Sequence, residues 1–132
     1  MGVTRADRRL VSTGSPFERQ AGYSRAVALG PVCEVSGTTG YDYATMTMPE
    51  GVGAQTQNAL ATIEAALRDA GFTMSDVVRV RYIVTDAAYA DAVFAVTGRW
   101  FAEIRPAATM IVAGLIRPEM KVEIEATARR AD

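Results

Sequence analysis

Histidine is absent from the 132 residues of the sequence, and this absence excludes more chemistry than any other feature of the composition. It excludes nucleophilic sites of the Ser–His and Cys–His kinds and every metal site with a histidine ligand. The single cysteine, Cys33, excludes an intrachain disulfide and is typical of a reducing cytosol. Any catalysis must therefore use carboxylates, arginine, tyrosine, hydroxyl groups, backbone groups and bound water.

An excess of positive charge and long apolar runs are also lacking. The 14 Lys and Arg residues balance 15 Asp and Glu residues, so the net charge is -1 and no polycationic surface is available to nucleic acid or anionic lipid. No apolar run approaches the roughly 18 residues of a membrane span, and the N-terminus has no apolar core of the signal-peptide type. We therefore expect a cytoplasmic protein without a nucleic-acid or membrane partner.

The composition that remains is that of an ordinary globular protein. Hydrophobic residues make up 49% of the chain and charged residues 22%. A chain of this length buries one core but not two, and it shows no repeat or linker. We predict a single domain over residues 1–132.

The first third of the chain predicts strands and a loop. The runs "SRAVALG" (24–30) and "VCEVSG" (32–37) are separated by Gly30-Pro31, which favours a hairpin turn. Residues 10–14 are a candidate edge strand. Residues 38–51 predict a long loop, because glycine, aspartate and proline interrupt any periodicity.

The remainder alternates helices with strands. Apolar residues at steps of three and four predict a helix over 54–70 that stops at Gly71. Asp86 is a plausible cap for a second helix that extends to about Phe101. Strands are predicted over 76–84, 107–113 and 120–128, and Val78 is expected on the buried face of the first of them. These elements form an α+β fold with two helices on one face of a mixed sheet.

The opposite face of this sheet is expected to be partly polar. Arg79, Arg81, Glu123 and Glu125 alternate onto it, yet Val77 and Ile83 lie among them. Such a mixed face predicts burial against another subunit.

Several motifs occur together and in a characteristic order: "EVSGTTG", "QNALATIEAALRDAG", "DVVRVRYIVTD", "RPA" and "KVEIEATA". With Tyr23 before its strand, the chain resembles the reactive intermediate deaminase family, also called the YjgF or L-PSP endoribonuclease family, over residues 10–130. The resemblance implies a chorismate-mutase-like fold and a homotrimer whose three sheets form a central barrel. It also implies a small-molecule cleft at each subunit interface. Deaminating members hydrolyse 2-aminoacrylate and related enamines or imines without a cofactor or metal.

The resemblance also assigns the residues of the cleft. Glu123 corresponds to the catalytic glutamate that positions the attacking water. The substrate-binding positions include a tyrosine that closes the pocket, a Ser-Gly pair, a helix position that is often asparagine, and the strand after the proline. In this chain these positions are Tyr23, Ser36, Gly37, Phe94, Ala108, Thr109 and Met110.

One assigned position departs from the deaminating pattern. Those members carry an arginine two residues after the proline, where this chain has Ala108. Without a guanidinium the pocket loses charged hydrogen bonds of roughly 1.5–3 kcal/mol each to a carboxylate. We expect Arg105 to point to the opposite face of the strand, whereas Arg25 and Arg117 stay open as replacement cations.

Two functions remain open at this stage. In the first, the protein is an enamine or imine hydrolase with altered substrate recognition. In the second, it is a non-catalytic trimer that binds a small metabolite or a protein, and Glu123 is then a solvated residue paired with Arg79 or Arg81. A nuclease is disfavoured by the nearly neutral charge.

Overall fold

The structure is a computed structural model that describes residues 8–131. One six-stranded sheet runs through it in the order β1-β2-β3-β6-β4-β5. Only β4 and β5 are parallel, and the other described neighbours are antiparallel. The strands are β1 (Arg8–Val11), β2 (Ala26–Leu29), β3 (Val32–Thr38), β4 (Val77–Val84), β5 (Ala107–Val112) and β6 (Val122–Arg129).

Three α-helices accompany the sheet in the described part of the chain: α1 (Pro16–Ala21), α2 (Val52–Asp69) and α3 (Ala90–Trp100). Helix α2 packs on β3 and β6, and α3 packs on α2. The α+β class is thus confirmed. Between residues 8 and 131, no helix combines the length and apolar character that a membrane crossing requires.

The two long helices follow their apolar periodicity. Leu60, Ile63 and Leu67 of α2 have no exposed surface, as their spacing predicts. Helix α3, the second of the two predicted helices, is preceded by a 3₁₀ turn over Ala87–Tyr89. The Asp86 side chain accepts a hydrogen bond from the Ala88 amide at 2.9 Å. Asp86 therefore caps this turn, and the α-helical part begins only afterwards.

Helix α1 was not predicted, although its ends carry recognisable signals. Ser15 caps it through the Phe17 amide, Pro16 occupies its first position, and Gly22 adopts a left-handed conformation with φ 76° after its end. With only six residues the helix is too short to show a periodic apolar stripe.

Strand β4 contains an irregularity that overturns one expectation. Val80, Tyr82 and Val84 are buried as predicted, but Val78 is 48% exposed, whereas Val77 is only 3% exposed. The pairing with β6 shifts register between Val77 and Arg79. An extra residue at such a bulge reverses the alternation on one side of it, so the placement of Val77 and Val78 by simple alternation was wrong.

The face of the sheet away from α2 carries polar pairs and exposed apolar side chains. The Arg81 guanidinium lies 3.0 Å from the Glu125 carboxylate, and Arg79 donates to the Thr109 hydroxyl at 2.9 Å. Val78 and Ile111, exposed by 48% and 40%, lie among them. Within the described residues this face is the mixed surface that the sequence predicts.

Candidate functional site

A hollow of about 460 Å³ lies beside Glu123 of β6 and is called here the Glu123 hollow. Five segments build it: helix α1 with the turn after it, the end of β3, the loop after β3, the loop before β6, and β6 itself. Its lining joins aromatic and apolar side chains to one carboxylate and one guanidinium. The lining residues are Phe17, Gln20, Ala21, Tyr23, Gly37, Thr39, Tyr43, Ile116, Arg117, Met120 and Glu123.

The Glu123 carboxylate lies directly against the backbone of Gly37. A Cβ atom at position 37 would stand only 2.7 Å from Oε2 of Glu123, so a glycine is required for this close approach. Burial, and secondarily repulsion by Glu125, raise the pKa of Glu123, while the positive charge of Arg25 lowers it in part. Three of the predicted site residues, Tyr23, Gly37 and Glu123, are therefore brought together.

Glu123 is not the ion-pair partner of the arginines on β4. Arg81 pairs with Glu125, and Arg79 donates to Thr109. In the register of the sheet, Glu123 stands opposite Ile83. The interpretation of Glu123 as a solvated partner of these arginines is therefore wrong.

Arg25 lies beneath the hollow with no exposed surface. Its guanidinium donates to the Gly37 carbonyl oxygen at 2.7 Å, to the Thr38 hydroxyl at 3.1 Å and to the Tyr23 hydroxyl at 3.4 Å. It also lies 4.8 Å from the centre of the Tyr43 ring. Arg25 thus holds the wall of the hollow in place and has no free surface for a substrate carboxylate.

The buried charge of Arg25 is balanced by Glu18, which helix α1 supplies. Oε2 of Glu18 lies 3.6 Å from Nε of Arg25, and both side chains are almost fully buried. Burial alone would raise the pKa of Glu18, but hydrogen bonds from the Thr13 and Ser12 side chains lower it below its ordinary value. Sequence reasoning missed this residue together with its helix.

Arg117 is the exposed cation of the Glu123 hollow. Its guanidinium lies 4.9 Å from the centre of the Phe17 ring. Nearby, the Tyr41 hydroxyl donates to Glu119 at 2.5 Å, and burial together with this carboxylate raises the pKa of Tyr41 to about 12. Of the two replacement cations that the sequence left open, Arg117 is the one that lines the hollow.

Gln55 of α2 ties the loops of the hollow together, and no signal in the sequence predicts this role. Its side chain has no exposed surface. The amide nitrogen donates to the carbonyl oxygens of Pro49 and Glu119, both at 2.9 Å, and the amide oxygen accepts from the Lys121 amide at 3.0 Å. One buried side chain therefore fixes the loop after β3 and the loop before β6.

A second hollow, of about 380 Å³, lies beside Ala108 of β5 and is called here the Ala108 hollow. Apart from one arginine and one threonine, its lining is aromatic, aliphatic or glycine. The lining residues are Tyr82, Phe94, Thr97, Gly98, Phe101, Ala102, Arg105, Pro106 and Ala108. Two predicted site residues, Phe94 and Ala108, thus lie together here and apart from Glu123.

Arg105 lines this same hollow, against expectation. Strand β5 begins only at Ala107, so alternation along the strand does not extend back to Arg105. Arg105 ends the turn after α3 in the left-handed region, with φ 53°, and its amide donates to the Phe101 carbonyl oxygen at 3.0 Å. The argument from strand parity was therefore wrong, because a backbone reversal separates the two residues.

The remaining predicted residues have structural partners. Ser36 donates to the Ser24 carbonyl oxygen at 2.6 Å, and Thr109 accepts from Arg79 on the outward face of the sheet. Met110 is partly buried against the main core. None of the three lines the Glu123 hollow or the Ala108 hollow.

Other features of the described residues do not add to the site. A hollow of about 550 Å³ along α2 contains none of the predicted residues, and Asp69 on its border is paired with Arg9 at 3.7 Å. Between residues 8 and 131, no three carboxylate or thiol side chains come together as a metal site would require.

Comparisons with known proteins cover nearly the whole chain. The family model for endoribonuclease L-PSP matches residues 13–130. An uncharacterised protein of Streptomyces coelicolor is 34% identical over 124 residues, 92% of either chain. The structure superposes with a TM-score of 0.86 on a member of the YjgF/YER057c/UK114 family from Mycobacterium tuberculosis. That protein is 45% identical, and the match covers 93% of this chain and 99% of the other.

The same fold is found in the YjgF protein of E. coli, with a TM-score of 0.83 and 27% identity over 92% of this chain and 98% of the other. The extent of the family match and the agreement of the folds lead to one conclusion. The chain belongs to the reactive intermediate deaminase family, the YjgF or endoribonuclease L-PSP family.

Proposed function

We propose that this protein hydrolyses imines or enamines derived from amino acids, and that residue 108 gives it a substrate recognition different from that of the 2-aminoacrylate deaminases. The observation that carries the proposal is the Glu123 carboxylate, which lies against Gly37 in a hollow and has a raised pKa. A carboxylate whose pKa is shifted toward neutrality is suited to general acid–base catalysis.

The reaction follows from this placement. The imine reacts in its N-protonated form: as a water oxygen bonds to the imine carbon, Glu123 accepts a proton from that water, giving a neutral carbinolamine. The carboxyl group then returns this proton to the nitrogen. As the carbon–nitrogen bond breaks and ammonia leaves, the hydroxyl group forms the carbonyl bond and gives its proton to the Glu123 carboxylate, which passes it to ammonia. Atoms and charge balance without an oxidant or reductant. The exposed ring of Tyr23 covers the reacting carbon from the side.

We further propose that the active unit is a homotrimer. The Glu123 hollow lies at the central strands β3 and β6, whereas the Ala108 hollow lies at the edge strand β5, and the two share no lining residue. We propose that the cleft combines one hollow from each of two neighbouring subunits. The mixed outward face, with exposed Val78 and Ile111, supports burial against a second copy. Light scattering at micromolar concentration is expected to give three times the chain mass of 14.1 kDa; a monomer mass would exclude the shared cleft.

The decisive assay measures ammonia released from imines generated in situ. We expect 2-aminoacrylate to be hydrolysed barely above the uncatalysed rate, because Ala108 itself offers neither charge nor hydrogen bond at the position from which the deaminating members hold this small substrate. Ala108→Arg is expected to raise this rate by at least tenfold, since two charge-assisted bonds would orient the substrate toward the water.

Matched variants make the assay specific. Ala108→Gln adds a similar length without charge and should gain little, and Glu123→Gln in the Ala108→Arg background should remove the gain. Rapid hydrolysis of 2-aminoacrylate by the unmodified protein would refute altered recognition. Failure of every imine tested, before and after Ala108→Arg in a folded trimer, would refute the hydrolase.

A further inference from the structure

We infer that Arg105 binds the carboxylate of the substrate and that the Ala108 hollow receives a bulky apolar side chain. The favoured substrates are then imino acids with branched or aromatic side chains, in preference to 2-aminoacrylate. This inference rests on the proposed hydrolase function, whose substrate class it specifies.

The lining of the hollow carries the first part of the argument. Phe94, Phe101 and Tyr82 line the hollow together with the small, exposed Ala108, and the volume of about 380 Å³ is within the range of small-molecule sites. An arginine at position 108 would fill this space and place a charge among the rings. With alanine, the space is free for an apolar group, which gains by leaving water.

Among the described residues, Arg105 is the only cationic one that lines this hollow. Between residues 8 and 131, the arginines that form ion pairs with carboxylates are Arg9, Arg25, Arg68 and Arg81, and Arg105 is not among them. A guanidinium beside an apolar space matches a ligand with a carboxylate at one end and a hydrocarbon group at the other.

The backbone of Arg105 supplies an independent observation. Its φ of 53° lies in the left-handed region that favours glycine or asparagine, and its amide donates to the Phe101 carbonyl oxygen in the turn that follows α3. A side chain larger than asparagine is disfavoured in this conformation, so its presence points to a function of the side chain.

The other candidate cations are placed less well for this role. Arg25 is fully buried and bonded to Gly37 and Thr38. Arg117 lies in the Glu123 hollow against Phe17, beside the reacting centre and away from Ala108.

Binding of keto acids tests the inference without catalysis, because the product keeps both the carboxylate and the side chain. Isothermal titration would compare 4-methyl-2-oxopentanoate, pyruvate and the methyl ester of the former. We expect the branched acid to bind at least tenfold more tightly than pyruvate. Arg105→Asn should weaken the branched acid by at least tenfold and leave the ester nearly unchanged.

Three controls separate this role from a structural one. Arg105→Asn should keep or raise the melting temperature, because asparagine tolerates the left-handed conformation better than arginine. Arg68→Gln, which changes an exposed arginine of α2 outside both hollows, should leave binding of the branched acid within about twofold. Ala108→Leu, which fills the hollow, should remove the preference for the branched acid over pyruvate.

Two results would overturn the inference: tight binding that Arg117→Gln abolishes and Arg105→Asn does not, or equal affinity for pyruvate and the branched acid. Loss of the proposed function has a different signature. If the branched acid binds through Arg105 but none of its imine precursors releases ammonia above background, the hydrolase proposal fails and the binding site stands.

Discussion

Gly37→Ala is the most direct test of how Glu123 is held. The added Cβ would lie 2.7 Å from Oε2, 2.8 Å from Cδ and 3.2 Å from Cγ of Glu123, and the first two distances are shorter than a Cβ atom tolerates. Gly37 is not among the residues with positive φ, so alanine adds no backbone strain there. The conflict is confined to the end of a flexible side chain, and we expect the carboxylate to swing away toward solvent.

The consequence is a lower pKa for Glu123. Its pKa is raised first by burial, and an exposed carboxylate loses this contribution and returns toward 4.5. A carboxyl group with a raised pKa binds more protons in the folded state, so its contribution to stability is present at low pH and is lost as pH rises. In Gly37→Ala this loss between acidic and neutral pH should shrink, while overpacking costs about 1–2 kcal/mol in unfolding free energy at most.

The assay is a carbon-13 NMR titration of the glutamate carboxyl groups, with urea unfolding at acidic and neutral pH. Gly40→Ala is the matched control. Its Cβ would stand 2.5 Å from the Cα atom of Gln55, in the backbone of α2, which cannot move aside, so we expect a loss of about 3 kcal/mol or more. An unchanged pKa of Glu123 in a folded Gly37→Ala protein would refute the contact, as would equal costs for the two glycines.

Two further predictions concern the buried polar groups beneath the hollow. Arg25→Met should cost about 3–5 kcal/mol in urea unfolding at fixed protein concentration, because it strands the buried Glu18; a cost below about 1 kcal/mol would contradict this. Since the pKa of Glu18 is lowered, its contribution to folding stability is present at neutral pH and is lost as the pH falls through that pKa. Glu18→Gln should remove this acid-sensitive part of the stability. Gln55→Leu should cost about 2–4 kcal/mol by stranding three backbone groups; a loss below about 1 kcal/mol would show that water replaces them.

Long helices and strands were predictable from the sequence, because their apolar residues recur at the period of the element and so form one buried face. The stripe of Leu60, Ile63 and Leu67 faces the sheet wherever α2 lies, and the alternation of β6 buries Ile124 while it turns Glu123 outward. The short helix α1 was missed, because six residues carry no period and only its capping residues identify it.

The errors near the site have one physical origin, which is a local interruption of a regular repeat. The bulge in β4 exchanges the environments of Val77 and Val78. The left-handed turn at Arg105 places the Arg105 side chain at the Ala108 hollow, although alternation along the strand would direct this side chain to the opposite face. Parity applies only while every residue in the count is extended, and no single-residue signal in the sequence marks where it stops.

The two hollows differ in how strongly their lining is tied into hydrogen bonds. The Glu123 hollow has a carboxylate fixed against glycine above a buried arginine, an arrangement that resists change because Arg25 bonds to both Gly37 and Tyr23. None of the side chains that line the Ala108 hollow belongs to this hydrogen-bond network. A substitution at position 108 can therefore change the shape and charge of the Ala108 hollow while the groups around Glu123 stay in place. If this separation holds, Ala108→Arg should change substrate preference and leave the pKa of Glu123 in the isolated chain unmoved.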